Sequence, residues 1–503
     1  GNEPFLMTYG DGVCDVEIDK LIEFHKSHGK LATLTAVKMA QDKGILDITK
    51  DQAVRAFREK NAADGAPINA GYMILEPLVF DMLEGGDTCV FENTLASGNV
   101  WITFARSHFL RNFLQKTRLL GSVGIVLFQT SLIMQNKQRW QLISQHLTME
   151  NIYEFYKGKR VFLTGHTGFK GSWMCKMLAN AGAIVTGYSL EAPTEPSLFK
   201  IANIEGDVYS VIGDIRDMAA LKKAFDEAQP EIVLHLAAQP IVRNSYKDPA
   251  YTYGTNVMGT VNILECVRQS NCVKSFLNVT TDKVYLNKEW NWGYRENEEL
   301  DGYDPYSNSK SCSELVTHSY KRSFFTDKDG LPIIPISTAR AGNVIGGGDF
   351  ATDRIIPDSI RAAAKHEDIV VRNPYSTRPY QHVLEPLYAY LVIAMKQYDD
   401  SKYADYYNVG PDDVDCFQTG ALVDLFVSKW GEGMKWVNKY DGGPHEANFL
   451  KLDCSKLKAT FGWTPRWNID EAMDKIVEWS KIWLAGGDVR ACMDKQIAEF
   501  LNA

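Results

Sequence analysis

VFLTGHTGFKGSW, Val161 to Trp173, decides how this chain folds. Val161 to Leu163 is a short apolar run with the composition of a buried strand, and the basic run Lys157 to Arg160 leads into it. Gly165, Gly168 and Gly171 follow, and a helix is expected from about Ser172 to Ala181. In a strand–loop–helix unit of this kind the first glycine permits the tight turn. The second lets a pyrophosphate approach the backbone, and the third lets helix and strand pack closely. The helix N-terminus then attracts phosphate. Phe169 and Lys170 complete the loop as candidate cofactor contacts. The bland alternative is a plain glycine turn.

Working outward, Ala183 to Tyr188, EIVLHLAA at 231–238 and SFLNVTT at 275–281 read as further strands, the last preceded by a helix from about Thr260. Strands alternating with helices predict an α/β, Rossmann-like, doubly wound parallel sheet. After Arg340 the texture loosens into loops and short helices, which suits a smaller C-terminal substrate domain. The expected divisions are 1–90, a partial α/β piece; 91–150, a joining segment; 151–340, the dinucleotide-binding domain; and 341–503, a mixed substrate-binding region with returning Rossmann elements.

The joining segment is anomalous. Between Asn93 and Met149 there is no Asp or Glu, where average usage predicts about seven. Its apolar run from Leu119 to Met134 is shorter than the roughly 20 residues that span a bilayer, so a damaged or out-of-frame junction is preferred to a membrane helix. The 503 residues are 45% hydrophobic and carry a formal net charge of −9. That balance argues against nucleic acid as the main partner. Nine cysteines without a CxxC pair read as thiols in a reducing, cytoplasmic compartment rather than a disulfide frame or zinc site.

Two further stretches carry chemistry. In YSNSK, Tyr306 and Lys310 stand four apart, on one face of a helix. A lysine ammonium there lowers a phenol from about 10, so that it can take a hydroxyl proton. Thr281-Asp282-Lys283 ends the strand SFLNVTT and points into the crevice above the sheet. Adjacent ionisable groups at a strand mouth are costly unless used; the bland reading is a solvated Asp–Lys pair. Ala237 and Ala238 are small enough for a ribose and phosphates to lie against their backbone. Asp214 and Ile215 stand where such folds cradle adenine, with a helix N-cap as the alternative for Asp214. The acid expected at the end of the second strand is missing, and no arginine replaces it. Lys170 is placed to touch a 2′-phosphate, yet NAD is the expected cofactor.

TGHTGFKGSW, AAQPIVRNSYKDP, TNVMGTVN, YRENEELDGYDPYSNSK, ARAGNVIGGGDF, RIIPDSIRA and RPYQHVLEP together resemble the CDP-glucose 4,6-dehydratases, extended short-chain dehydrogenase/reductases, over about Asn151 to Ala485. Tyr380 departs from the Trp common there. The resemblance implies a lyase acting on CDP-glucose in polysaccharide or lipopolysaccharide biosynthesis. Tyr306 is then the base at the 4-hydroxyl, aided by Thr281 and Lys310, with Asp282 the acid for the departing 6-hydroxyl. Lys283, or a water it orients, is the base at carbon 5, which requires its burial. Arg243 and Tyr246 are implied for the hexose, and Asn343, Arg354 and Arg378 for the diphosphate, with structural ion pairing the alternative for either Arg354 or Arg378. A homodimer or tetramer and no membrane partner are also implied. A nucleotide-sugar 4-epimerase is the runner-up; it needs no Asp282–Lys283 pair.

The front, MTYGDG, FREK and INAGYMILEP, resembles glucose-1-phosphate cytidylyltransferases. Asp11 is a vestigial Mg²⁺ candidate, and Lys60, Asn69 and Gly71 match sugar-phosphate positions. The family's glycine-rich phosphate loop is missing from the front, and the acid-free segment supplies no second metal ligand. No transferase activity is therefore expected, and no metal is expected in the dehydratase part.

Overall fold

The computed structural model describes Met149–Ala503 apart from residues 440–447, together with six strands and residues 22, 23 and 25–27 of the front region. The chain divides into two compact units, Gly1–Leu127 and Phe128–Ala503. In the first, Ile68–Leu75 is the central strand of a six-stranded mixed sheet, antiparallel to Phe5–Thr8, Ala32–Val37 and Ile45–Ile48. Ala32–Val37 also runs parallel to Val100–Phe104, and Ile45–Ile48 pairs with Val54–Arg58. Asn69 and Gly71 lie on the central strand. Asp11, Lys60 and the apolar run at 119–134 lie outside the described residues.

The second unit is built on seven parallel strands: β1 (Arg160–Thr164), β2 (Ile184–Ser189), β3 (Tyr209–Ile212), β4 (Ile232–His235), β5 (Ser275–Thr281), β6 (Ile336–Ala341) and β7 (Tyr406–Val409). Their order is β7-β6-β5-β4-β1-β2-β3. The direction of winding reverses between β1 and β4, and ligands of open α/β sheets bind at that reversal, outside the carboxyl ends of the strands. All seven residues of β5 are buried, as a central parallel strand covered on both faces requires.

One face is covered by α1 (Met149–Tyr156), α2 (Phe169–Asn180) and α7 (Leu384–Asp399), whose Ile152, Trp173, Leu178 and Leu387 join Leu163, Leu234 and Leu277 in one core. The other is covered by α3 (Met218–Ala228), α4 (Gly259–Arg268) and α5 (Pro305–Phe324), where Leu221, Phe225, Ile263 and Val267 meet Phe162 and Phe276. Beyond β6 the chain leaves the sheet. α6 (Ile355–Ala364), α8 (Thr419–Trp430) and α9 (Ile469–Leu484) build a second core around Ile360, Phe426 and Ile476 with the strand Ile369–Val371. The chain re-enters the sheet layer twice, as α7 and then as the edge strand β7. Gln397 of α7 binds Ser275 and Ser337 across β5 and β6, at 2.8 and 2.5 Å. The helices beyond Arg340 are thus not short: α7 and α9 have 16 residues each. Helix α2 starts at Phe169, inside the glycine loop and three residues before the expected Ser172.

α5 is fixed by polar groups in an otherwise apolar interior. Asp304 caps it, accepting from Ser307 N at 3.0 Å, with Pro305 in the first turn. Asn278 of β5 donates to Ser313 and Thr317 at 3.0 and 2.9 Å. Glu314, fully buried, accepts from Thr280 at 2.5 Å, Thr338 at 2.7 Å and the Arg340 guanidinium at 3.0 Å. Arg340, equally buried, also donates to Tyr285 Oη at 2.8 Å and Glu296 O at 2.9 Å. Arg340 and these hydrogen bonds hold the Glu314 carboxyl far below the usual range. Removing one partner strands a buried charge. E314Q is expected to lower unfolding free energy by about 3–5 kcal/mol, read by urea titration. E314M/R340M, which removes both charges, is expected to lose less than E314Q.

Candidate active site

The loop after β1 is shaped by what lies against it. Gly165 has φ +79°, in the left-handed region, and a Cβ there would come within 2.9 Å of Ala237 N. A Cβ on Gly171 would overlap the Gly165 carbonyl oxygen, so α2 sits directly on the loop. Gly168 is the N-cap of α2, and no side chain caps that end; its first amides are available to an anion. Thr164 Oγ1 accepts from Leu236 N and Ala237 N at 3.1 Å each. It lies 2.8 Å from Nδ1 of the buried His235, which burial pushes down to about 3. Thr164 and His235 thereby shape the turn that carries Ala237 and Ala238.

At the end of β2, where an acid was expected, Ser189 lies 2.6 Å from Thr167 Oγ1 and donates to Leu190 O at 2.9 Å. Asp214 is not a helix N-cap; Asp217 fills that role for α3. Asp214 instead grips Arg216 at 2.6 Å and is held below the usual carboxylate range by it. The Arg216 guanidinium lies 4.6 Å above the Tyr251 ring. Ile215 is buried against Gly259, which has no room for a Cβ.

The strand ends open into a cleft of about 510 Å³, which gathers Phe169, Lys170, Arg243, Thr281, Asp282, Lys283, Tyr306, Asn343, Arg354 and Arg378. Asp282 is 1% exposed. Thr281 Oγ1 donates to its Oδ1 at 2.9 Å, and no described residue hydrogen-bonds its Oδ2. Burial raises its carboxyl above the usual range, against the Lys283 and Arg378 cations. This favours the protonated acid. Asn343 O accepts from Gln381 N at 3.0 Å, tying the loop after β6 to the RPYQH segment.

Two expectations need correction. Lys310 was to lower the Tyr306 phenol, yet burial pushes that phenol up to about 12, with Thr281 and Arg354 acting the other way. The Lys310 ammonium is engaged elsewhere: it donates to Val279 O at 3.1 Å, and burial and then Lys170 bring it down to about 7. Lys170 lines the cleft, where burial and Arg354 lower its ammonium and Asp282 raises it. Lys283 is half-buried, short of the burial expected of a neutral amine. In addition, Tyr246 is 43% exposed and does not line the cleft.

The cleft mouth is an array of ion pairs. Arg354 binds Asp349 at 2.9 Å, and Asp353 lies between Arg372 at 2.6 Å and Arg243 at 3.8 Å. Arg378 is buried and donates to Thr377 O at 3.0 Å. Sequence reasoning missed Asp349, Asp353 and Arg372. It also missed Asn256, which accepts from Gln239 N at 2.8 Å and donates to Ser309 at 2.8 Å, joining the loop after β4 to α5. Asn256 sits within TNVMGTVN, and its side-chain bonds depend on residues distant in sequence.

Residues 162–476 match the family model described as GDP-mannose 4,6 dehydratase. The chain belongs to this dehydratase family. The match runs from β1 into α9 and includes every residue of the cleft. A CDP-glucose 4,6-dehydratase from Salmonella typhimurium is 49% identical over 354 residues, 69% of this chain and 98% of that protein. The front is similar to the glucose-1-phosphate cytidylyltransferase of the same organism, 51% identical over 87 residues, but those span only 34% of that protein. The fold matches a dTDP-glucose 4,6-dehydratase from Bacillus anthracis solved in complex with NAD, with TM-score 0.53, 20% identity, and coverage of 64% of this chain and 97% of that one. The sheet's reversal point and the strand-end cleft coincide in one crevice, lined by Phe169 and Lys170 after β1 and by Pro240 to Arg243 after β4. Among the described residues no helix is long and apolar enough to cross a membrane.

Lys310 gives a test of this environment. Its ammonium titrates near 7 when folded and near 10.4 in an unfolded chain, so between those values the unfolded state binds a proton that the folded state lacks. Stability from this group therefore rises with pH across that window. The difference in unfolding free energy between wild type and K310M, measured by urea titration, is expected to grow from pH 7 to pH 9. A constant difference would mean that Lys310 stays charged.

Proposed function

We propose that this chain is a hydro-lyase converting CDP-glucose to CDP-4-dehydro-6-deoxyglucose and water. The observation that carries this reading is a single cleft holding a phenol, a buried acid and an amine: Tyr306, Asp282 and Lys283. An epimerase has no use for the last two. The near-complete coverage of the Salmonella typhimurium enzyme supports the same substrate.

The uncapped start of α2 and the Ala237–Ala238 backbone, packed together at Gly165 and Gly171, form a cradle that suits a dinucleotide. NAD, when bound there, supplies a hydride acceptor that later returns the hydride. Ser189 in place of an acid leaves the ribose preference open to either cofactor. Arg216 is already neutralised by Asp214, which supports NAD over NADP.

The chain's own residues handle the protons. Tyr306 takes the proton of the 4-hydroxyl; Thr281 and the Arg354 cation already act to lower its phenol. The ketone formed at carbon 4 acidifies carbon 5, whose proton goes to Lys283 or to a water it orients. The bond from carbon 6 to oxygen breaks, and Asp282 gives its proton to the departing hydroxyl, releasing water. The carbon 5 proton is then returned, and the proton gained at Tyr306 replaces the one lost at Asp282 through solvent. Arg243, Arg354, Arg378 and Asn343 at the mouth serve the hexose and the diphosphate, the planar guanidinium fork suiting phosphate oxygens. The divisions at about 90, 150 and 340, a homo-oligomer and a cytoplasmic setting belong to the same proposal.

Incubation with CDP-, UDP-, GDP- and dTDP-glucose followed by product mass is the test. Loss of one water from CDP-glucose alone is expected; retained mass with an inverted 4-hydroxyl would instead mean an epimerase. D282N is expected to reduce turnover about 10²–10⁴-fold, the usual contribution of a positioned acid, with CDP binding retained.

A further inference from the structure

Lys170 is a cation within the glycine loop, in the first turn of α2. It lines the cleft together with Asp282, Tyr306 and Arg354. We propose that Lys170 is a positioning residue for water loss, its ammonium serving as countercharge to the carboxylate that Asp282 leaves when it gives up its proton. This rests on the dehydratase reading above.

When carbon 5 loses its proton and the bond from carbon 6 to oxygen breaks, the proton of Asp282 goes to the leaving oxygen. A carboxylate remains at a position 1% exposed, with no hydrogen-bond partner on Oδ2 among the described residues. A buried carboxylate is costly unless cations face it. Lys283 and Arg378 do so from the turn after β5 and from the RPYQH segment. Lys170 adds a third cation from a different element, and its position is fixed by the packing of α2 onto Gly165. Burial and Arg354 lower the Lys170 ammonium to about 8 and Asp282 raises it, so it is charged at neutrality. Lys170 also faces Lys310, which Glu314 opposes from within α5. One charge thus acts on the acid and on the lysine of the Tyr306 helix.

The sign follows from Coulomb's law. Removing Lys170 lets Asp282 keep its proton to higher pH, which moves the alkaline limb of the kcat profile upward. The experiment compares kcat against pH for wild type, K170M, K170Q and K170R on CDP-glucose, with CDP binding measured by calorimetry. In K170M and K170Q the limb is expected to move up by about one pH unit, and kcat at neutrality to fall about tenfold. K170R is expected to keep the wild-type limb, and CDP affinity to stay within about twofold throughout. An alkaline limb that stays in place in both neutral variants overturns the proposal. So does loss of CDP affinity without a shifted limb, which would make Lys170 a phosphate ligand. A wild-type protein inert toward CDP-glucose would instead remove the dehydratase reading itself, and this inference with it.

Discussion

The buried Glu314–Arg340 pair is the constraint on which the reactive end of this molecule depends. A lone charge in that interior would cost several kcal/mol, so the pair must form, and it forms only when α5, β5 and β6 are in register. Glu314 stands four residues after Lys310 and eight after Tyr306 on the same helix face. The bonds from Thr280 and Thr338 that fix Glu314 therefore also set the height of Tyr306 above the sheet. Serines on α5 add to this, since Ser309 and Ser313 are small enough to let Asn256, α4 and β5 approach and bond.

A second constraint lies at the glycine loop. Gly165 and Gly171 leave no space between loop, helix and the turn after β4. That tightness exposes the positive end of α2 to the crevice and carries Lys170 into the same crevice. Lys170 consequently lines the cleft with Asp282 and Arg354, and its charge also lowers Lys310, distant from it in sequence.

Much of the fold was legible because it rests on local pattern. SFLNVTT reads as a strand and is one, residue for residue, since β-branched and apolar residues suit a doubly covered central strand. The glycine spacing announced the loop for the same reason. What the sequence could not convey was direction and desolvation. Spacing puts Tyr306 and Lys310 on one face, but it does not say that the ammonium bonds Val279 O while the phenol is desolvated. Nor does a lysine in a loop reveal which end of a cofactor crevice it enters. Asp353 and Arg372 were invisible because their partnership joins loops 19 residues apart.

The path of the chain after β6 has a further consequence. The polypeptide leaves the sheet, contributes α6, comes back as α7 to cover β5 and β6, adds the edge strand β7, and leaves again. The outer lobe is woven into the sheet rather than appended to it. A polypeptide ended at Arg340 would lose Gln397 and its bonds to Ser275 and Ser337, uncovering the middle of the sheet. Recombination could exchange the sugar-recognising lobe only by preserving two separate crossings, so new specificity is more easily reached by point changes at the cleft mouth than by trading modules.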